Sequence, residues 1–585
     1  MKLITYALDK LGGISQAISR FLAVFLCLVT IVSLNAISIE ADHDFEKQII
    51  TLVLGVFCFL CTQSLAERFG KTLLRKLMFY AAAVLVLGLY YIYILSLASI
   101  NDVIWIKTVT GIFALFIAFI WIPSINRATD FTGIFLSVFK AFFTSAFFSG
   151  IIFGGIAAII GAIDALLISI NSTAYAHTAN IVWGIWAPML FLSLIPIFAS
   201  SKQDPEKIKK SIGYPKFLEI LLSYVVIPLI SIYTVVLLIY ISKTVFLGNW
   251  DNNLLEPLII SYLIAVLLIY ILVKGLDNIF TKRFRMIFPL LLAAIALFQT
   301  VSSVITITNQ GIIYSRYFVI MFSLYAIICG ITLFAFPKRK NDIIAWLAII
   351  LALVCITPLV GAFRVSINSQ SAIVENTLEQ NNMLADGSII ANSDISDEDK
   401  EKITGGVEYL SSIDELDSLM FLPNDFDLYA DFNNVFGFDL YDIDYKNNYP
   451  SKDFQLDPML AIEIGAYDYL STMPVYPSEK NYEEQLSRIT IAGEQYLIKL
   501  AGNQDDFAII FYHDDTEIMA IPLIEMFNTI ANYSAENGII DPEKLTFDFE
   551  NDLVKARIVF RYASIYYNNS DINRNGEIYI LYSIK

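Results

Sequence analysis

The feature that most constrains this chain is a series of apolar runs of about 20 residues, the length an α-helix needs to cross the hydrocarbon of a bilayer. They lie near 21–39, 49–66, 77–99, 103–123, 143–170, 180–198, 218–242, 257–274, 286–306, 316–336 and 343–362. Hydrophobic residues make up 57% of the chain, more than the cores of soluble domains require. The expected fold is a membrane all-α domain of about eleven transmembrane helices followed by a C-terminal extracytoplasmic α+β domain. The first run follows Lys2, Lys10 and Arg20 but is long and lacks a small-residue cleavage site, so it reads as an uncleaved span.

Charge separates the chain into two parts. Residues 1–362 hold 25 Lys+Arg and 16 Asp+Glu, whereas 363–585 hold 14 and 40. The boundaries expected are a cytoplasmic amphipathic N-terminus at 1–20, a polytopic membrane domain at 21–362, a helical stalk at 363–412 and the acidic domain at 413–585. So acidic a tail repels phosphate backbones, which excludes nucleic acid and leaves the bilayer, an extracytoplasmic ligand, a cation or a basic protein as partners.

Lysine and arginine in short connections stay on the cytoplasmic side during insertion. With the N-terminus inside, inner connections hold 21 such residues and outer ones only Lys47, Lys243 and Arg316. An odd number of spans then places the tail outside a cytoplasmic membrane. Trp105, Trp121, Trp183, Trp186, Trp250 and Trp346 all fall near expected span ends, where the indole prefers to sit.

Residues 128–149, with phenylalanine every fourth position from Phe131 to Phe147 and Lys140 between them, read as an interfacial helix feeding the fifth span, or as a re-entrant segment. Beyond Gly361, residues 365–384 read as a helix, and Ser396 before Asp397-Glu398-Asp399 caps a second one to about 412. The stretch 413–485 shows no clear period. Alternation then marks strands at 487–492, 495–501, 506–512 and 516–521, a helix at about 522–535, and strands at 554–566 and 577–585 joined by a turn at Asn575-Gly576.

Ionisable groups inside the hydrocarbon are costly, so Lys107 and Asp164 stand out. They lie at similar expected depth and are candidates for a pair, read either as a structural ion pair or as a cation or proton site. Gly150, Gly154, Ala158 and Ala162 form a small-residue face for close helix packing. Pro188, Pro228, Pro289 and Pro358 kink spans or free carbonyls for binding. The run Gln299-Thr300-Val301-Ser302-Ser303 reads as polar glue between helices.

In the tail, Asp571, Asn573 and Asn575 with Gly576 copy the opening of a calcium loop. Position 582 is Tyr rather than the bidentate Glu, which favours a hairpin turn over a metal site.

Catalytic groupings are not found. Cys27, Cys58, Cys61, Cys329 and Cys355 all fall in apolar runs and read as packing. His43, His177 and His513 show no metal-ligand spacing, and the pair His513-Asp514 reads as an exposed turn. Gly70-Lys71-Thr72 lacks the first glycine of a phosphate loop. No cofactor is expected.

Four ordered segments carry a resemblance: Ala162-Ile163-Asp164-Ala165-Leu166, Tyr214-Pro215-Lys216-Phe217 with the apolar run after it, Ile313-Tyr314-Ser315-Arg316-Tyr317-Phe318-Val319, and Val365-Ser366-Ile367-Asn368-Ser369-Gln370. Over roughly residues 20–390 the chain resembles a bacterial membrane family known only as domain of unknown function 4153. The resemblance implies a bacterial cytoplasmic-membrane protein and assigns no reaction.

Two classes of function follow: a non-enzymatic envelope protein whose tail binds a ligand or partner or senses the envelope, and a secondary transporter or lipid-handling protein working through Lys107 and Asp164. An intramembrane enzyme would need a nucleophile or metal cluster that the sequence does not display.

Overall fold

The computed structural model describes residues 13–585 except 42, 126–128, 199–204, 248–255, 337–340, 386, 424–425, 441–450, 458, 460, 478–481, 492, 504–505, 515, 534–538 and 569–570. Most of the expected N-terminal segment 1–20, Trp250 and Asp515 thus lie outside the described residues. The chain divides into two compact units, residues 1–387 with 405–422 and residues 388–404 with 423–585.

The first unit is helical. Helices α1 (Leu22–Ala41), α2 (Glu46–Phe69), α3 (Leu73–Leu95), α4 (Asp102–Trp121) and α5 (Phe131–Leu166) are followed by α6 (Thr173–Ile181), α7 (Ala187–Ser193), α8 (Ile227–Leu247), α9 (Glu256–Val273), α10 (Ile279–Gln310), α11 (Tyr314–Ala335), α12 (Asp342–Cys355) and α13 (Ala362–Gln380). Local chemistry sets their ends. Thr72, Asn101, Asp130 and Asn278 each accept a hydrogen bond from a backbone N–H of the first turn, the capping that these short polar side chains supply. At the far end of α10, Gly311 takes a φ of 74° and stops the helix.

Among the described residues, nine helices are long and apolar enough to cross a membrane. The two remaining expected runs are shorter or interrupted. The sixth is broken by a π-helical turn, Val182–Trp186, two residues before Pro188. The eleventh ends at Cys355 after 14 residues, because the residue before Pro358 is driven out of helical geometry; this proline therefore lies beyond the helix. A second π-helical turn, Leu221–Val226, precedes Pro228, whereas Pro289 lies inside α10.

Of the segment 128–149, residues 131–149 do not turn back on themselves: they form the first half of the unbroken 36-residue helix α5, and Phe131, Ile134, Leu136, Val138 and Ala141 are all buried in the main core. Outward-facing side chains begin within this half, where Phe142, Phe143 and Phe147 are 57%, 56% and 65% exposed, and continue through the second half. A Cβ built on Gly150, Gly154 or Gly155 would meet nothing within 4 Å, so the glycines of the expected small-residue face pack against no neighbour among the described residues.

Bonds between connections sort them into two sets. Arg20 pairs with Glu67 and donates to the Ile195 carbonyl, Arg68 donates to Ile125, Lys140 to Gly213, and Lys274 pairs with Asp130. In the other set Glu40 pairs with His177, Lys47 donates to Leu97, Trp105 to Glu46, and Asn101 to Asp414. Every such pair joins connections separated by an even number of expected crossings, the pattern of helices alternating in direction.

The expected stalk is packed, not projecting: Ser366, Ile367, Gln370, Val374, Thr377 and Leu378 of α13 are buried, because every third or fourth residue of this helix faces other parts of the same unit.

The second unit is α+β. Strands β1 (Ser451–Gln455), β2 (Tyr469–Val475), β7 (Thr546–Glu550), β8 (Val554–Asn568) and β9 (Asp571–Ile584) form a five-stranded sheet in the order β1-β8-β9-β2, with β7 also pairing β8. A second antiparallel sheet runs β3 (Tyr482–Ile491), β4 (Glu494–Asn503), β5 (Asp506–His513) and β6 (Thr516–Pro522). One hydrophobic cluster gathers residues of both sheets and of the helix Leu523–Ile530.

The expected alternation of β8 holds from Val554 to Phe560 and then fails. Tyr562 is 40% exposed while Ala563 and Ile565 are buried, because a bulge between Phe560 and Tyr562 shifts the register and so exchanges the two faces.

Candidate functional site

The first unit gathers polar groups where α10 turns into α11. Glu256, at the start of α9, accepts from the Gln299 amide at 3.2 Å, and the same amide donates to Ser303 at 3.1 Å. Gln299 and Ser303 are each 2% exposed, so the polar run of α10 does act as glue, and its carboxylate partner was not evident from the sequence. Arg316 donates to the Gln310 side chain at 2.8 Å. Opposite, the Gln370 amide of α13 donates to the Gln310 carbonyl at 3.0 Å and Ser369 accepts from the Ile312 N–H at 3.0 Å.

Tyr409 completes this knot. Its hydroxyl donates to Ser366 at 2.7 Å and accepts from the Tyr314 N–H at 3.0 Å. Burial pushes its phenol above the usual range, and the hydrogen bonds with Ser366 and Tyr314 oppose that rise. Tyr314 stacks on Phe363 with centroids 5.1 Å apart, and the Lys107 ammonium lies 5.2 Å from the centre of the Phe363 ring, a cation–π arrangement.

Lys107 and Asp164 are not brought together. Asp164 instead accepts from the Ile170 N–H at 2.7 Å and closes the chain after α5. Among the described residues Lys107 has no carboxylate in an ion pair.

In the second unit, Asn573 and Asn575 stand on β9 opposite Tyr566 and Ser564, so Asn575-Gly576 is paired strand and not the expected turn. Alternate strand residues are about 6.6 Å apart, which spreads the three calcium-loop positions along a line instead of curling them around an ion. The side chain of Asp571 lies outside the described residues. Gly576 is explained by close approach: a Cβ there would lie 2.7 Å from the Tyr562 carbonyl oxygen.

The second unit holds an open cavity of about 350 Å³ bordered by Leu456, Glu463, Glu543, Asp548, Arg557 and Val559. Asp548 and Arg557 face each other across β7 and β8 and form two hydrogen bonds at 2.6 and 2.9 Å. Tyr467 donates to the same carboxylate at 3.1 Å. The hydrogen bond from Arg557 holds the Asp548 carboxyl below its ordinary range and raises the guanidinium in return. Among the described residues Glu463 and Glu543 have no cation in an ion pair. None of these groups was singled out from the sequence, since the cavity joins positions up to 103 residues apart, from Leu456 to Val559.

The family described as domain of unknown function DUF4153 matches residues 21–388. The chain belongs to this family. The DUF4153 match contains all the described helices from α1 to α13, including the Gln310, Arg316 and Gln370 contacts, and stops before the cavity of the second unit. No curated protein and no solved structure matches the chain.

Proposed function

We propose that this DUF4153 protein is a non-enzymatic, multi-pass protein of a bacterial cytoplasmic membrane, with eleven crossings, whose acidic C-terminal unit lies outside the cytoplasm and binds a cationic ligand. The count of eleven is supported by the bonds at both ends of the interrupted sixth segment, from His177 to Glu40 and from Ile195 to Arg20, and by Tyr317 at the start of α11 donating to Val360 beyond α12. The placement of the tail is supported by the excess of Lys and Arg in the connections of the Arg20 set.

The observation that carries the ligand reading is the cavity of the second unit. Three carboxylates border it against one arginine, and that arginine is already committed to Asp548. Glu463 acts on the same arginine from beyond ion-pair distance, but neither it nor Glu543 is paired with a cation among the described residues, and amines or guanidinium groups are the donors that suit them. No group of three or more His, Cys, Asp or Glu placed to hold a metal occurs among the described residues, which favours an organic cation.

The test uses the purified full chain. Spermidine should raise its thermal unfolding midpoint in proportion to the logarithm of concentration, and Glu463→Gln with Glu543→Gln should remove the shift. An equal shift in the double variant, or none in the wild type, refutes the site. Orientation is read separately, by labelling Thr516→Cys with a membrane-impermeant thiol reagent in whole cells.

A further inference from the structure

A second cavity, also of about 350 Å³, lies in the first unit between α4, α11 and α12. Its walls include Val109, Phe113, Phe318, Phe322, Ala348 and Ala352. Its polar atoms are already used: the Thr110 hydroxyl donates to the Ile106 carbonyl at 2.7 Å and the Tyr325 hydroxyl to Ile344 at 2.9 Å. The cavity therefore offers a guest no free hydroxyl donor. Val109 and Phe113 are 54% and 48% exposed on helices of membrane-spanning length, so its mouth opens where the surrounding solvent is lipid.

One cation lies just beyond this cavity. Lys107 precedes Thr110 by three residues, about 4.5 Å along the helix axis. Phe318 of the wall stands one helical turn from Tyr314, whose ring stacks on the Phe363 under the Lys107 ammonium. An apolar slot with an ammonium near one end is complementary to an anionic amphiphile.

We propose that this cavity binds an anionic phospholipid, with one acyl chain between α4, α11 and α12 and its phosphate at Lys107. Charge complementarity selects the headgroup, since Glu415 acts on the lysine only from beyond ion-pair distance, no described residue forms an ion pair with it, and a partly desolvated ammonium gains most from a phosphate. The chain length within reach of the cavity, and not the headgroup alone, sets affinity, because the walls offer mainly apolar contact. The site is separate from the cavity of the second unit, and its failure would leave the ligand reading above intact.

The experiment reconstitutes the full chain in nanodiscs of phosphatidylcholine with phosphatidylglycerol carrying a photoactivatable group midway along one acyl chain, and maps adducts by mass spectrometry. Adducts are expected on Phe113, Phe318 or Phe322, with at least tenfold lower yield for labelled phosphatidylcholine. Lys107→Gln should abolish that preference and Lys107→Arg should retain it, while Ala352→Phe should lower the yield for both lipids. Adducts confined to other faces, adducts joining a second copy of the chain, or a headgroup preference unchanged in Lys107→Gln would overturn the proposal. Should Ala352→Phe not fold, the wild-type adduct map and the Lys107 pair decide alone.

Discussion

Replacing Gly330 with alanine puts two effects of opposite sign in competition. In an exposed helix the change stabilises by up to about 1 kcal/mol through backbone propensity. At this position a Cβ would lie 2.6 Å from the Pro289 carbonyl oxygen and 3.0 Å from the backbone N of Ala293. Both obstacles are backbone atoms of α10, so no side chain can swing aside and the two helices must separate by several tenths of an ångström. A radial gap of 0.5–1 Å forfeits roughly a quarter to a half of each contact's attraction, and overpacking of this kind costs about 1–3 kcal/mol. The clash wins, with a net loss of about 1–2 kcal/mol. Gly154→Ala on α5 is the internal control, because its Cβ would meet nothing within 4 Å, and only the favourable propensity effect should appear. Both variants are compared by unfolding of the detergent-solubilised full chain. Equal midpoints for the two, or a more stable Gly330→Ala, would refute the reasoning.

The Arg20–Glu67 pair, with side chains 17% and 16% exposed, gives a second prediction: Arg20→Ala leaves the largely buried carboxylate with the Gln63 amide but no cation and costs about 3 kcal/mol, whereas Arg20→Met with Glu67→Leu recovers most of it in the same unfolding assay. Truncating Phe560, which is fully buried between Phe527 and Phe547, to alanine should destabilise the second unit by about 3–5 kcal/mol, seen as faster limited proteolysis within 423–585. Asp548 is depressed by Arg557, so its contribution is present above the ordinary carboxylate range and is lost as pH falls through the lower folded value. The pair is partly exposed, so the effect stays below about 1 kcal/mol, and Asp548→Asn should flatten that part of the stability–pH curve as pH falls below the ordinary carboxylate range.

What was legible in the sequence follows the range of the interactions involved. Helices whose runs are long and whose caps are adjacent, such as Asn278 before Thr281, announce themselves because the determining contacts span a few residues. The strands from β3 to β6 were legible for the same reason: each pairs with its neighbour through a short turn. Strands β1 and β2 were hidden in 413–485 because their partners are 562–566 and 576–582, more than 90 residues away in the chain. Register was the other limit. Nothing local reveals the bulge after Phe560, and the dipeptide Asn575-Gly576, a turn by composition, is extended because Tyr562 and Phe527 crowd the glycine. At the candidate sites, single residues were visible as costly or unusual, but partners were not: Lys107 met an aromatic ring rather than Asp164, and Glu256 escaped notice until Gln299 was seen donating to it.

The two halves of α5 give that helix an unusual dependence on its surroundings. Its 36 residues extend about 54 Å at 1.5 Å per residue, well beyond the hydrocarbon thickness of about 30 Å. The turns from Phe131 to Ala141 are wrapped by the protein, while from Phe142 onward much of the helix surface is exposed. For that longer part the bilayer takes the place of neighbouring helices, so amide protection there should vary with the lipid or detergent chosen while that of 131–141 stays fixed. The membrane is in this sense one of the structural elements of the fold.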